Sequence, residues 1–395
     1  MSRSEREGGE GGGGGDISIA EATARYESWL AAQISIIGPD LEQKHHAMSA
    51  GSFPFLRATY YRWAARWRAI VGDAAEAPRA LAVGDLHVEN FGTWRDAEGR
   101  LIWGVNDFDE AWPLPYTNDL VRLATSALIA IGYHDLAIDA KRATRAILEG
   151  YHEAVDAGGR AFVLAEHHGE LREMAVHRLH DPESFWDKLE SFPTVKSPVP
   201  GAAMAALTRA LPEQGLKTRI VHRIAGLGSL GRQRFVAIAT WRGGRVAREA
   251  KALVLSACTL ERRAATPLGA AGEMMRRTLR WAAGGGKPKL YYEEILRRSI
   301  RCPDPCVVVS GAWLVRRLAP DCSRIALNAL PKKRAEEHLL QSMGWETANV
   351  HLGSCDARTL LADLRRRNKH WLYEAASRMA DAVDEDWHEW RKAVG

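Results

Sequence analysis

Cysteine is scarce and unorganised in this chain of 395 residues: five occur, an odd number, at 258, 302, 306, 322 and 355. A secreted disulfide framework uses an even set in a short chain, so none is expected. The closest pair, in "CPDPC", has three residues between the sulfurs and no second Cys/His pair at zinc spacing, which argues against a structural zinc site. Nowhere do 18 apolar residues run together, so no membrane span is expected. The N-terminal "MSRSEREGGEGGGGGDIS" lacks the apolar stretch of a signal peptide. Residues 1–16 therefore read as a disordered Gly-rich tail, and the protein as cytoplasmic with free thiols. Charge of one sign is not in large excess either. The formal net charge is +5, spread over helix faces such as "DLRRRNKHW" rather than gathered in a basic stripe, so no nucleic-acid partner is expected. No internal repeat is visible.

What is present is the composition of an ordinary globular protein, 46% hydrophobic and 26% charged, in a chain long enough for more than one domain. Helical spacing of apolar residues runs through "ISIAEATARYESWLAAQISII" and "FPFLRATYYRWAARWRAIV". The texture then turns to short strands: "RALAVGD", and "NFGTWRDAEGRLIWGVNDFDE" as a hairpin turning at "RDAEGR". From Asn118 to about Leu211 the pattern is again helical. Three strand-like runs follow in "KTRIVHRIAGLGSLGRQRFVAIATWRGGRVAREAKALVL", then helices at about 268–284 and 289–301, a β pair in "CVVVSGAWLVRRLAP", and a helical end. The fold class predicted is α+β. The expected organisation is a helical part over 17–215, a smaller antiparallel β-rich part over 216–320, and C-terminal helices over 321–395 that rejoin the first.

Polar residues concentrate in "VGDLHVENFG". Asp85 and Asn90 fit D-x-x-x-x-N, and "NDFDE" places Asp107 seventeen residues beyond the Asn. Phosphoryl transfer needs such a set: one carboxylate to orient an acceptor hydroxyl, and an amide and a second carboxylate to hold Mg²⁺ on the nucleotide phosphates. Two protein ligands suffice, because Mg²⁺ keeps several waters and takes phosphate oxygens. Alone, Asp85 and Asn90 would pass for turn formers and Asp119 for a helix cap. Their order with the hairpin, "NDFD" and "NDL" favours chemistry. A binuclear metallophosphoesterase also uses "GDxH", but it needs a downstream Gly-Asn element, and no such dipeptide occurs in the chain.

The second constellation is "AGLGSLGRQRF", with Gly226, Gly228, Ser229 and Gly231 in G-x-G-S-x-G. A dinucleotide fold would follow it with a helix; here a strand follows, then a Gly-Gly turn and a strand bearing Lys251. Strand, glycine turn, strand and lysine is the order of a kinase phosphate loop and its lysine. The glycines let backbone N–H groups approach ATP phosphates, and Lys251 adds a point charge. The alternative is a plain hairpin tip. Glu293 or Glu294 in "LYYEEILRRSIR" stands where a kinase places the partner of that lysine, and periodicity does not separate the two.

The "GDLHVEN" and "NDFD" elements resemble those of the protein-kinase-like superfamily, especially aminoglycoside and choline phosphotransferases. That resemblance implies Asp85 as catalytic base, Asn90 and Asp107 as Mg²⁺ ligands, His87 near the transferred phosphate, and Asp119 as the aspartate that braces the loop. Val83 departs from the His that usually precedes "GD". The order of the parts is inverted, with the catalytic elements at 84–110 ahead of the glycine-rich strands at 223–251. This implies a circularly permuted kinase-like two-lobe fold. From about Met48 onward the chain also resembles an uncharacterised bacterial family of unknown function grouped with such folds. The expectation is a phosphotransferase using ATP and Mg²⁺ on an unidentified, small-molecule hydroxyl acceptor. Nucleotidyl (AMP) transfer and a non-catalytic ATP sensor are the alternatives.

Overall fold

The described residues open with four helices, α1 (Ile19–Ala31), α2 (Gly38–Ser49), α3 (Ser52–Ala58) and α4 (Tyr60–Val71). Ser18 caps the first by accepting the Glu21 N–H at 3.1 Å. The computed structural model describes residues 17–133, 136–164, 172, 182–260, 289–322 and 335–394. The Gly-rich tail and the helix expected over 268–284 lie outside them.

Four short strands come next: β1 (Arg79–Ala82), β2 (Phe91–Arg95), β3 (Leu101–Val105) and β4 (Trp112–Pro115). β1 pairs antiparallel with β4, Ala82 opposite Trp112; β2 pairs with β3, Phe91 opposite Val105. The β2–β3 turn forms because Asp96 Oδ1 accepts the N–H groups of Glu98 (3.0 Å) and Arg100 (2.9 Å) while Gly99 supplies a φ of 73°. A short β5 (Phe162–Val163) adds to β3. The connections 83–90 and 106–111 consequently leave the two ladders at the same end. The Asn106 N–H to Asn90 carbonyl bond, 3.0 Å, draws them together.

Helices α5 (Thr117–Gly132) and α6 (Ala140–Asp156) pack behind these strands. After them come α7 (Pro182–Ser191), α8 (Gly201–Ala210), β6 (Thr218–His222), β7 (Arg234–Trp241), β8 (Gly244–Ala252), α9 (Lys289–Arg298), β9 (Val308–Ser310), β10 (Trp313–Leu318), α10 (Ala335–Leu352), α11 (Ala357–Leu364) and α12 (Trp371–Val394). The protein is a mixed α+β fold with antiparallel sheets, as expected. α6 and α10 approach closely through glycine: a Cβ on Gly150 would collide with the Gln341 carbonyl, and one on Gly344 with that of Ile147.

The five-stranded sheet has the order β6-β7-β8-β10-β9. Strand alternation gives its two faces different duties. Phe235, Ala237, Ala250, Ala252, Trp313 and Val315 form one apolar face, covered by Ala203, Ala206 and Leu207 of α8. The opposite face is split. Val221, Val236, Ile238, Ala247 and Leu318 pack against Leu189 of α7. At the other end, register sets Arg234 opposite Lys251 and Arg316 opposite Glu249. Segment 182–210 therefore packs on the sheet, not within the helical part to which its periodicity assigned it. Periodicity reveals an apolar helix face but not what covers it.

Candidate active site

Val83–Asn90 leaves β1 as a loop tied down from α5. Asp119, fully buried in the first turn of that helix, accepts the N–H groups of Val83 (2.7 Å) and Gly84 (3.0 Å). It also accepts His351 Nε2–H at 3.0 Å, and Asn118 donates to the Gly84 carbonyl at 3.2 Å. Gly84 takes a φ of 83°, and a Cβ there would strike the Glu110 carbonyl. Only glycine makes that turn at that distance.

Asp85 is thereby aimed at a buried cation. Arg122 is fully buried; its guanidinium stacks over Tyr60 and Trp63 at 5.0 and 4.8 Å and donates to the Leu56 carbonyl at 2.8 Å. Its Nε donates to Asp85 Oδ1 at 2.9 Å, and its Nη2 to the same oxygen. Asp85 Oδ2 is left facing Gly228, whose Cβ, if present, would lie 3.3 Å from it. Burial pushes the Asp85 carboxyl up from 3.8 to about 7; Arg122 opposes this, and the negative charges of Glu110 and Asp107 add to it. A carboxylate near neutrality with one oxygen held and one presented suits a general base.

Asn90 donates through Nδ2 to the Asp85 carbonyl at 2.6 Å, which turns its Oδ1 away from that contact. Asp107 Oδ1 accepts the Asp109 N–H at 3.3 Å and Lys251 Nζ at 3.5 Å. Lys251, almost fully buried, pairs more closely with Asp109 Oδ2 at 2.6 Å; Arg232 reaches the same oxygen at 3.2 Å and Glu110 at 3.0 Å. Burial opposes ionisation of Asp107, but Lys251, Arg316 and Arg234 outweigh it and hold the carboxyl below its ordinary range.

Asp85, His87, Asn90, Asp107, Asp109 and Gly226–Ser229 are among the residues that line one small cavity of about 40 Å³; Lys251 does not line it but reaches it through Asp107 and Asp109. The cavity has room for an ion or a few waters. A second cavity of about 340 Å³ meets it at Asp107 and Gly226. His87 Nδ1 accepts the Glu89 N–H at 3.2 Å, which leaves Nε2 to carry the ring's N–H. Ser229 receives Arg234 Nη2 at 2.7 Å, which ties the glycine turn to the sheet.

Two expectations need correction. Lys251 pairs with Asp107 and Asp109, not with Glu293 or Glu294; Glu294 instead pairs with Arg297 and Arg298 of its own helix. A helix and a strand consecutive in the chain need not present their charges to each other. Gly231 also lies outside both cavity linings. Its φ of 89° turns the chain toward α2, where its carbonyl accepts the Ile37 N–H at 2.9 Å.

Sequence reasoning passed over Arg122, Asp109, Arg232 and the buried Lys44. The Nζ of Lys44 sits 5.1 and 5.7 Å from the Tyr26 and Tyr61 rings that wall the small cavity, and burial, reinforced by Arg232, lowers its ammonium to about 8. For Arg122 a signal existed: a single arginine inside the apolar helical run "NDLVRLATSALIAI".

The donor set fits Mg²⁺, a hard cation that takes oxygen. Asp109 Oδ1 is buried and accepts no hydrogen bond among the described residues, and Asn90 and Asp107 line the same cavity. Among the described residues no three His, Cys, Asp or Glu side chains form a metal cage by themselves. A cation here would complete its shell with Asn90, water and ligand oxygens.

This loop, hairpin and glycine turn fall within stretches shared with other proteins. The profile of a family of uncharacterised proteins conserved in bacteria, DUF2252, matches residues 39–183 and 217–393. The chain belongs to that family. The DUF2252 match spans every site residue from Lys44 to Lys251 and passes over 184–216, most of the two helices that cover the sheet. No curated protein and no solved structure matches the chain. Among the described residues, no helix of this DUF2252 protein is long and apolar enough to cross a membrane.

Proposed function

We propose that this DUF2252 protein is a Mg·ATP-dependent phosphotransferase that moves the γ-phosphate to a hydroxyl of a small-molecule acceptor, on a kinase-like arrangement with its motifs in permuted order. One observation carries the reading. Asp85, Asn90 and Asp107 from one part of the chain, and Gly226, Gly228 and Ser229 from another, line a single cavity, and Lys251 reaches its carboxylates.

In the proposed step Asp85 Oδ2 takes the acceptor's proton as its oxygen forms the bond to the γ-phosphorus. The bond from that phosphorus to the β,γ-bridging oxygen breaks, and ADP leaves with the electron pair. Arg122 keeps Asp85 Oδ1 occupied, so the proton goes to the oxygen facing the cavity. Asn90 and Asp107 are the residues that would hold Mg²⁺, which supplies charge neutralisation at the phosphates. The Gly226–Ser229 turn approaches the phosphates from the sheet side, Lys251 acts through the Asp107 and Asp109 carboxylates with which it pairs, and His87 offers an Nε2–H donor. The test is transfer of label from α- and γ-labelled ATP to a panel of hydroxyl acceptors. γ-label in the product, absent with Asp85→Asn, is the expected result; α-label in the product would replace phosphoryl with nucleotidyl transfer. Tight ATP binding with no transfer to any acceptor would point to a sensor.

A further inference from the structure

The larger cavity has a feature that the base and metal residues do not explain. Glu249 is fully buried on β8 and faces three guanidiniums at once. Its Oε1 accepts Arg316 Nε at 2.7 Å and its Oε2 accepts Arg223 Nη1 at 2.6 Å, while Arg234 Nη1 lies 3.3 Å from both oxygens. One negative charge therefore fixes three positive ones, and arginine does not lose its proton to relieve the imbalance. Lys251, on the same strand face, pairs with Asp107 and Asp109, and the charge of Asp107 also acts on Arg234 and Arg316. Apart from their bonds to Glu249, the Arg223 and Arg316 side chains donate to no described group. Both line the 340 Å³ cavity, as do Arg234 and Arg317. Phe108, Tyr292, Leu296 and Ile300 line the same cavity, together with the carboxylates of Asp107 and Asp304. Arginines and aromatic side chains lining one cavity suit a ligand with a polyanionic end and a flat apolar end. The cavity meets the base and metal residues at Asp107 and Gly226.

We propose that Arg223, Arg234 and Arg316, splayed on Glu249, form an oligophosphate clamp that holds the phosphate chain of a nucleoside triphosphate in the larger cavity. Glu249 acts as a positioning residue: it fans the guanidiniums and leaves the outer N–H groups of Arg223 and Arg316 for phosphate oxygens, while Arg234 is held by Ser229 as well. The clamp supplies charge that Lys251, engaged by two carboxylates, does not. The nucleoside part of this inference rests on the ATP reading above; the oligophosphate part does not.

Calorimetry with inorganic tripolyphosphate and, separately, Mg·ATP tests it on wild type, Arg223→Gln, Arg316→Gln and Glu249→Gln, with the exposed Arg145→Gln as a charge control. Tripolyphosphate should bind wild type and compete with Mg·ATP. Arg223→Gln and Arg316→Gln should each weaken tripolyphosphate by roughly tenfold or more, as expected for loss of a charge-assisted bond, while Arg145→Gln matches wild type. If Glu249→Gln fails to fold, the two arginine variants, which keep the carboxylate, decide the matter. Wild-type affinity for tripolyphosphate in folded Arg223→Gln and Arg316→Gln overturns the clamp, and Mg·ATP binding by wild type would then leave the phosphotransferase reading standing. Clamp-dependent tripolyphosphate binding without Mg·ATP binding supports the clamp and removes ATP as donor. No tripolyphosphate binding by wild type overturns the clamp outright.

Discussion

Replacing Asp119 by Asn turns one oxygen into an amino group at a point where every neighbour is a donor. Asp119 Oδ2 accepts the Val83 N–H at 2.7 Å and His351 Nε2–H at 3.0 Å, and Oδ1 accepts the Gly84 N–H at 3.0 Å and Asn118 Nδ2–H at 3.1 Å. In either orientation the new amino group faces one backbone N–H and one side-chain donor, with no water to relieve it, since Asp119 is 0% exposed. Two charge-assisted bonds are lost, each worth about 1.5–3 kcal/mol, so the loop should be destabilised by about 3–6 kcal/mol before relaxation. At about 1.4 kcal/mol per tenfold, amide exchange over 83–90 should quicken by roughly a hundredfold or more. Hydrogen-exchange mass spectrometry of Asp119→Asn reads this directly, with α6 as internal control because global unfolding would expose both. Unchanged protection at 83–90, or stability within about 0.5 kcal/mol of wild type, would refute the bracing role.

Three other outcomes follow from the structure. Asp85→Asn should leave Mg·ATP affinity within a few-fold of wild type and abolish transfer, read by calorimetry beside γ-label transfer; retained turnover would remove Asp85 as the base. Gly344→Ala should lower the melting temperature. Helix propensity alone favours alanine by about 1 kcal/mol, but the new Cβ meets the Ile147 carbonyl and overpacking costs about 1–3 kcal/mol, so a raised melting temperature would contradict the close α6–α10 approach. Burial raises the Glu346 carboxyl from 4.5 to about 7, against the hydrogen bonds from Asn349 and the Val105 backbone. The folded state therefore keeps a proton that the unfolded chain has lost, and stability falls as pH rises from about 4.5 through about 7. At about 1.4 kcal/mol per pH unit the loss approaches about 3 kcal/mol above pH 7. Glu346→Gln should raise the melting temperature at pH 8 and not at pH 4; equal effects at both would contradict the assignment.

Much of this was written locally in the chain. The β2–β3 hairpin follows from "RDAEGR", because Asp96 and Gly99 make the turn by themselves. The runs at 218–222, 234–241 and 244–252 emerged as neighbouring strands because Gly-rich turns separate them. Asp85, Asn90 and Asp107 were legible because one hairpin connects them. What was not legible depends on distant contacts. Glu249 and Lys251 stand two apart on a strand and so share a face, yet nothing in the sequence says that Arg316 of β10 and Arg223 past β6 complete the cluster. Gly231 looked like part of a phosphate loop because glycine does not reveal whether it serves a ligand or a turn. Glu293 and Glu294 were placed by analogy of order, and the contacts of Lys251 went to the nearer Asp107 and Asp109.

The central claim, that the cavity around Asp107 binds a metal-nucleotide, is tested most directly by calorimetric titration of ATP with and without Mg²⁺ on wild type and Asp107→Ala. The account predicts binding by wild type that requires Mg²⁺ and is lost in Asp107→Ala. Equal affinity in the two proteins, or no binding by wild type with any divalent cation, would contradict it.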